Sequence, residues 1–292
     1  MTTASTDHPR DLARTIVGAL LGRPVTGLRP LTSGYVARTW RADVADRSIV
    51  IRLVRDIPDA FAADRSIGPL VAGIGIPVPE LLVTGERDGW LYAISAFVPG
   101  HNADSFPPDV VSGLVPVLVR TMNAILRVDI AGTSGFGGIG PDGQGRSPSW
   151  RAHLATIFDD APAGYRHDWR RELAGSRLDW DLFATLHAAM LGLLGHCPER
   201  RWLVHGDYGF GDFVWDAAWL RFWMTAEDLT EPLRTLARGD GGVIPAFDER
   251  MACYQLVFGM DALRVFARQR IPEAYGWATR RVSALLATLP VG

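Results

Sequence analysis

The chain has 292 residues, of which 48% are hydrophobic and 21% charged, and its net charge is −2 at pH 7. This composition is typical of a globular protein and excludes a disordered or collagen-like chain. Without a block of like charges, the sequence predicts no nucleic-acid partner and no membrane partner. All 30 basic residues are arginine, which excludes chemistry that needs a lysine amine.

The N-terminal residues lack a basic segment followed by an apolar run, and no apolar stretch of about 18 residues occurs anywhere. We therefore expect a cytoplasmic protein. Cys197 and Cys253 are far apart and outside any C-x-x-C spacing. They are predicted to be unpaired, buried thiols.

The first hundred residues alternate between helical and strand patterns. Residues 9–21 have the apolar spacing of an amphipathic helix. Short runs rich in β-branched and aromatic residues predict an antiparallel meander over 25–34, 37–44 and 47–56. Helical spacing returns at 59–73, and a hairpin is predicted to turn at 87–89.

The rest of the chain is mostly helical in pattern. Apolar residues at helical spacing predict helices over 108–127, 150–160, 179–196, 247–270 and 272–289. The glycine-rich segment 132–149 has no periodicity and is predicted to be a long functional or mobile loop. A short strand at Leu203-Val204 is predicted to turn into a second strand, whose aromatic residues line a core or a cleft: Trp215, Trp219, Phe222 and Trp223.

The strongest candidate site is His205-Gly206-Asp207, directly after the apolar pair Leu203-Val204. Catalytic groups are often mounted where a strand ends in a sharp turn. A histidine there is often structural and a carboxylate after glycine can simply cap the turn, so both interpretations stay open. Another carboxylate, Asp212, follows five residues after Asp207.

This order of motifs resembles the aminoglycoside phosphotransferase family, a branch of the protein-kinase-like fold. The segments that carry the resemblance are LTSGYVARTW at 31–40, SIVIRLVRD at 48–56, FVPG at 97–100, SGFGGIGPDGQGRSPSW at 134–150 and the HGD turn. The resemblance implies a bilobal α+β fold. We expect a β-meander lobe over 1–98 and an α-rich lobe over 99–292 that carries the HGD site.

The resemblance also implies roles for individual residues. Asp207 matches the aspartate that accepts the proton of a substrate hydroxyl, with His205 beside it. Asp212 stands where the family has a metal-binding Asn, and a carboxylate is also a suitable ligand for Mg²⁺. Arg52 stands where the family places the Lys or Arg that pairs with nucleotide phosphates.

Several positions depart from the family pattern. The second metal aspartate is replaced by Thr225, and the acidic partner expected for Arg52 is replaced by Ser66. Asp64 is two residues away and is predicted to face another side of the helix. The hairpin tip holds one glycine, Gly34, which gives poor support for close approach to phosphate.

Three hypotheses follow. In the first, no cofactor is needed, and Asp207 with His205 or Asp212 performs acid/base chemistry such as dehydration or cyclisation, as a lyase or cyclase, on a hydroxylated natural product. In the second, the protein is an antibiotic-type phosphotransferase that uses Mg-ATP, with the metal held by Asp212, either alone or together with Glu227 or Asp228. In the third, it is a non-catalytic binding protein. We expect a large, partly hydrophobic small-molecule ligand in each case.

Overall fold

The computed structural model describes residues 9–31, 36–55, 57, 59–101, 106–160, 168–205, 209–223 and 244–289. The chain forms two compact units, Met1–His101 and Asn102–Gly292. In the described part of the chain, no helix is both long enough and apolar enough to cross a membrane. The fold is α+β: an antiparallel sheet dominates the first unit and helices dominate the second.

The first unit is built on a five-stranded antiparallel sheet with the order β1-β2-β3-β5-β4. Its strands are β1 (Val25–Leu31), β2 (Arg38–Val44), β3 (Arg47–Val54), β4 (Leu81–Arg87) and β5 (Trp90–Ala96). The predicted meander is confirmed. Alternate residues of β3, including Ile49 and Ile51, are buried against Leu12 and Ile16 of helix α1 (Pro9–Leu21), and this packing fixes the register of the sheet.

The helix predicted over 59–73 is two short helices, α2 (Ala62–Ser66) and α3 (Gly68–Gly73). Pro69 lies in the first turn of α3. Proline has no amide hydrogen, so it starts a helix readily but does not continue one. The break leaves α2 as a five-residue segment directly before Ile67.

The second unit is mostly helical. Its helices are α4 (Pro108–Ile125), α5 (Trp150–Thr156), α6 (Trp169–Glu172), α7 (Trp180–Leu193), α8 (Val214–Trp223), α9 (Phe247–Gln269) and α10 (Pro272–Thr288). The core of the unit surrounds α9, which is buried along most of its length. Aromatic side chains fill this core, and the centres of the Trp215 and Phe258 rings lie 4.4 Å apart.

A small sheet lies in the second unit, with the order β7-β6-β9-β8. Its strands are β6 (Phe136–Ile139), β7 (Gly145–Ser147), β8 (Trp202–Val204) and β9 (Gly209–Gly211). The prediction of an irregular loop over 132–149 is therefore wrong, because β6 and β7 form a hairpin there. Glycine hides this strand from a periodicity search since it contributes no side chain to the pattern.

The aromatic-rich strand predicted after the HGD turn is also wrong, because residues 214–223 form helix α8, and the strand that follows the turn is the short β9. Trp215, Trp219 and Phe222 are spaced by four and three residues, which places them on one face of a helix, whereas one face of a strand repeats every two residues. Helix α8 packs against α9 and buries Trp215 and Phe222.

The two cysteines are both buried free thiols, as predicted, and their sulfur atoms lie 3.7 Å apart. Cys197 follows a 3-10 turn at Leu194–His196, and Cys253 lies in α9. The pKa of Cys197 is lowered by its hydrogen bond with Cys253. The pKa of Cys253 is raised by the same hydrogen bond and by burial.

Candidate functional site

Strands β8 and β9 flank the HGD motif. They pair antiparallel, with Val204 opposite Gly209 as the last pair before the connection. His205 is the first residue after β8 and is exposed. Asp207 lies outside the described residues, so its predicted role as proton acceptor, like that of His205, stays a prediction.

Glycine is required behind this turn. Gly209 pairs with Gly138 of β6, and a Cβ atom at Gly209 would lie only 2.7 Å from the carbonyl oxygen of Gly137. A larger residue would push β6 away from β9. The glycine-rich sequences of both strands thus allow the β6–β7 hairpin to support the strand that follows the HGD motif.

A buried carboxylate, Asp216, holds the end of β8. The backbone N–H of His205 donates a hydrogen bond to Asp216 Oδ2 at 2.9 Å. Asp216 lies in the first turn of α8 and is 3% exposed. Our reading of the sequence missed it, although an aspartate inside the apolar run Val214-Trp215-Asp216-Ala217-Ala218 is a signal of a buried polar contact.

Asp212 is enclosed within the second unit. It is fully buried and forms a two-pronged ion pair with Arg250 of α9, whose Nε donates to Oδ2 at 2.8 Å and whose Nη2 donates to Oδ1. The hydroxyl of Tyr254 also donates to Oδ2, at 2.6 Å. Both carboxylate oxygens of Asp212 are therefore engaged by protein groups.

The same network extends to α5. Trp150 Nε1 donates to the Tyr254 hydroxyl at 2.9 Å. Burial raises the pKa of Tyr254 well above its ordinary value, and the neighbouring Asp212 charge raises it further. Tyr254 therefore remains protonated and donates to the carboxylate.

This environment does not fit the predicted roles of Asp212 as an acid/base partner of Asp207 or as a metal ligand. A carboxylate that holds a buried guanidinium has no free oxygen for a metal ion or a substrate proton. Within the described ranges, no group of three or more His, Cys, Asp or Glu side chains is placed to hold a metal. Thr225, Glu227 and Asp228 lie outside those ranges.

Arg52 of β3 has an acidic partner in the first unit. Its Nη2 atom forms a hydrogen-bonded ion pair with Asp64 of α2, and its guanidinium lies 5.0 Å from the centre of the Phe61 ring. The prediction that Asp64 faces elsewhere is wrong, since in the short helix α2 it is Asp64 that faces β3. The Ser66 hydroxyl instead donates to the carbonyl oxygen of Ala62. Gly34 lies outside the described residues.

Comparison with known sequences decides the family. The sequence model of the phosphotransferase enzyme family matches residues 27–221, more than half of the chain. The chain belongs to this family. It is 27% identical over 288 residues to hygromycin-B 4-O-kinase of Escherichia coli, an alignment that covers 90% of this chain and 81% of the relative.

Solved structures agree on the fold. The apo structure of a thermostable mutant of aminoglycoside phosphotransferase APH(4)-Ia has a TM-score of 0.75 at 24% identity and covers 94% of this chain and 98% of its own. A ternary complex of that enzyme with AMP-PNP and hygromycin B has a TM-score of 0.73 at 24% identity, with 94% and 97% coverage. A fructosamine-3-kinase-like protein of Haemophilus somnus has a TM-score of 0.58 at 12% identity, with 96% and 100% coverage.

These findings correct two expectations. ATP-free dehydration or cyclisation chemistry is wrong as the main function, because the matching relative is a kinase and its family transfers phosphoryl groups. The expectation that no cofactor is needed is wrong as well, because the solved neighbours include complexes with AMP-PNP and with ADP. The lyase or cyclase assignment falls with them, while the chain remains a member of an enzyme family.

Proposed function

We propose that the protein is an ATP-dependent O-phosphotransferase that acts on a hydroxyl group of an aminoglycoside-like small molecule. The observation that carries the proposal is the match over 90% of the chain to hygromycin-B 4-O-kinase. The ion pair between Arg52 and Asp64 and the HGD sequence after β8 support it. The hydrophobic character expected for the ligand stays a prediction.

Arg52 has the chemistry required to bind nucleotide phosphates. Its side chain is 30% exposed, so the guanidinium is accessible while Asp64 and the Phe61 ring fix its position. Guanidinium groups bind phosphate oxygens through paired hydrogen bonds, and their charge persists at any physiological pH. ATP, when bound, would supply the transferable γ-phosphoryl group.

Asp207 is proposed as the group that accepts the proton of the substrate hydroxyl. With ATP bound, the substrate hydroxyl would displace ADP from the γ-phosphorus, and the Asp207 carboxylate would take the hydroxyl proton. His205 is proposed to lie beside this site. No step is assigned to Asp212, because its oxygens hold Arg250 and Tyr254.

A coupled assay of ADP release tests the proposal. Purified protein is mixed with ATP, Mg²⁺ and a panel of aminoglycosides beginning with hygromycin B, and the product is checked for an added phosphate by mass spectrometry. We expect ADP release that depends on one of these compounds. We expect Asp207→Asn to lower kcat by about 10²- to 10⁴-fold, the usual effect of removing a positioned base.

A measurement that does not depend on turnover sharpens the test. Calorimetric titration with Mg-ATP is expected to show binding in the micromolar range, weakened in Arg52→Ala and unchanged in Asp207→Asn. Failure to bind nucleotide, together with no product from any compound, would contradict the proposal. Binding without product would leave the nucleotide assignment intact and reject the substrate class.

A further inference from the structure

A cavity of about 340 Å³ lies in the first unit, lined by α2, the turn before it, and strands β4 and β5. Its volume is within the range of small-molecule binding sites, about 300–1,000 Å³. The side chains that matter for its chemistry are Asp59, Phe61, Arg65, Thr84, Glu86 and Leu91. None of these side chains is proposed above to contact ATP or the phosphate acceptor, so a ligand here would be additional to both.

Part of the cavity wall is apolar and held in place. Phe61 is 4% exposed and packs with Val54 and Ala93 in a buried cluster, against which Leu91 also lies. Close packing of this kind leaves the ring little freedom to move. A wall that is already ordered costs little further ordering when a ligand binds, and it suits a ring or another small apolar body.

The charged part of the wall favours a cation. Asp59 and Glu86 contribute two carboxylates and Arg65 contributes one guanidinium, so the negative charges outnumber the positive one. Arg65 Nη1 donates a hydrogen bond to Thr84 Oγ1 at 3.3 Å. A ligand amine would donate charge-assisted hydrogen bonds to the carboxylates, whereas both carboxylates would repel an anion. Since Arg65 and Glu86 are exposed, this selection by charge is modest and weakens with salt.

Helix α2 connects the cavity to Arg52. The Phe61 ring lines the cavity, and its centre lies 5.0 Å from the Arg52 guanidinium. Asp64 and Arg65 are consecutive residues of α2, and they bind β3 through Arg52 and β4 through Thr84, respectively. A ligand that contacts Phe61 or Arg65 therefore acts on the same short segment that orients Arg52.

We propose that this cavity is an effector site for a small organic cation, an amine carried on a ring or short apolar body, and that α2 couples its occupation to nucleotide binding. The site itself stands apart from the proposed phosphotransferase function, and only the coupling rests on that function. Ligand packed on Phe61 restricts the ring beside Arg52 and so favours the arrangement that binds phosphate. Coupling between two sites typically changes each affinity by about 5- to 150-fold.

A matched pair of probes tests the site. Phenethylamine and phenylacetate carry the same ring and opposite charges, and ligand-observed NMR measures their binding to the whole protein. We expect phenethylamine to bind with a Kd of about 1 mM and phenylacetate to bind at least about 10-fold more weakly. No binding of phenethylamine, or equal affinity for the two probes, would overturn the proposal.

Three variants locate the binding. Thr84→Trp fills the cavity and is expected to abolish phenethylamine binding. Glu86→Gln, a surface change that the fold tolerates, is expected to raise its Kd by about 2- to 5-fold. Glu80→Gln is the matched control, because Glu80 is an exposed carboxylate directly before β4 that does not line the cavity. Its affinity is expected to equal that of the wild type, and equal affinity in all three variants would overturn the proposal.

Calorimetric titration of Mg-ATP with and without phenethylamine tests the coupling. We expect the amine to lower the Kd for Mg-ATP by about fivefold or more in the wild type and in Glu80→Gln, and to have no effect in Thr84→Trp. An unchanged Kd in the wild type would overturn the coupling. If the wild type binds no Mg-ATP, the proposed function fails, and the two NMR probes alone decide whether the cavity is a cation site.

Discussion

Among the described residues, the first unit contains the ion pair between Arg52 and Asp64 and the second contains the ion pair between Arg250 and Asp212, and the two pairs differ in exposure. Arg52 and Asp64 in the first unit are both 30% exposed, whereas Arg250 and Asp212 in the second are 4% and 0% exposed. The first pair also lies beside an aromatic ring, and the second is completed by the Tyr254 hydroxyl.

Exposure decides what each pair can do. A partly exposed guanidinium can bind a phosphate without leaving a buried charge behind, because water and a ligand both reach it. In a fully buried pair both charges are already removed from water, so removing either partner leaves the other as an uncompensated buried charge. The comparison supports the proposal that Arg52 binds a ligand, and it assigns internal support to Arg250, although both are arginines bound to an aspartate.

The largest expected effect comes from breaking the buried pair. We expect Arg250→Met to lower the free energy of unfolding by about 3–5 kcal/mol, because Asp212 would keep a buried and uncompensated charge. Urea unfolding followed by circular dichroism measures this loss. The double variant Asp212→Leu/Arg250→Met removes both charges and is expected to recover most of it. Additive losses in the double variant would contradict an internal ion pair.

The next effect concerns the hydroxyl that completes the pair. Tyr254→Phe removes the donor to Asp212 and leaves Trp150 Nε1 without its acceptor, so we expect a loss of about 1–3 kcal/mol in urea unfolding. Tyr275→Phe is the matched control, because the hydroxyl of Tyr275 accepts a hydrogen bond from the Asp179 N–H at an exposed site. Equal losses in the two variants would show that burial of the network adds nothing.

The exposed pair is expected to behave in the opposite way. Arg52→Ala should change the free energy of unfolding by only about 0–1 kcal/mol, because partly exposed ion pairs contribute little. The same change should raise the KM for ATP by about 10- to 100-fold, the value of a charged hydrogen bond. Arg52→Lys keeps the charge and should raise KM less. A large stability loss with unchanged KM would reverse the assignment of the two pairs.

The smallest expected effect is a pH dependence that comes from His187 in the second unit. Burial lowers the pKa of His187, and the nearby charge of Arg170 lowers it further. The unfolded chain, with a histidine pKa of about 6.5, then binds protons more readily than the folded chain. The contribution of neutral His187 to the free energy of unfolding should therefore be fully present above about pH 6.5, and it should fall as the pH decreases toward the lowered pKa of the folded state. His187→Asn should flatten this part of the unfolding profile, and an unchanged slope would contradict it.

The sequence predicts the meander of the first unit well, since alternation in β3 directly reflects the burial of Ile49 and Ile51. It predicts β6 and α8 poorly. The glycines of β6 carry no side-chain pattern. The spacing of Trp215, Trp219 and Phe222 indicates a helix, but the aromatic content of the segment favours a strand, and giving the content more weight than the spacing produced the wrong prediction.

The residues of the candidate site also differ in how well the sequence alone predicts them. The HGD turn, Asp212 and Arg52 are visible because they lie in recognisable local motifs. The partners of Asp212 are not visible, because Arg250 and Tyr254 follow it by 38 and 42 residues and meet it only through packing of α9. The sequence allows Asp216 to be predicted as a buried polar contact, since an acid among buried apolar residues needs a partner. Its local sequence does not identify the His205 amide as that partner.

The contact between Cys197 and Cys253 allows thiol labelling to report when the core of the second unit opens. Both thiols are sealed from solvent while α9 lies against the segment that leads into β8, and their sulfurs are neighbours at 3.7 Å. A water-soluble thiol reagent would react with either sulfur only after α9 separates from the segment that leads into β8, and both sulfurs would then be exposed together. Labelling that adds two groups in one kinetic phase would therefore time the separation of α9 from the strand that leads to the HGD turn.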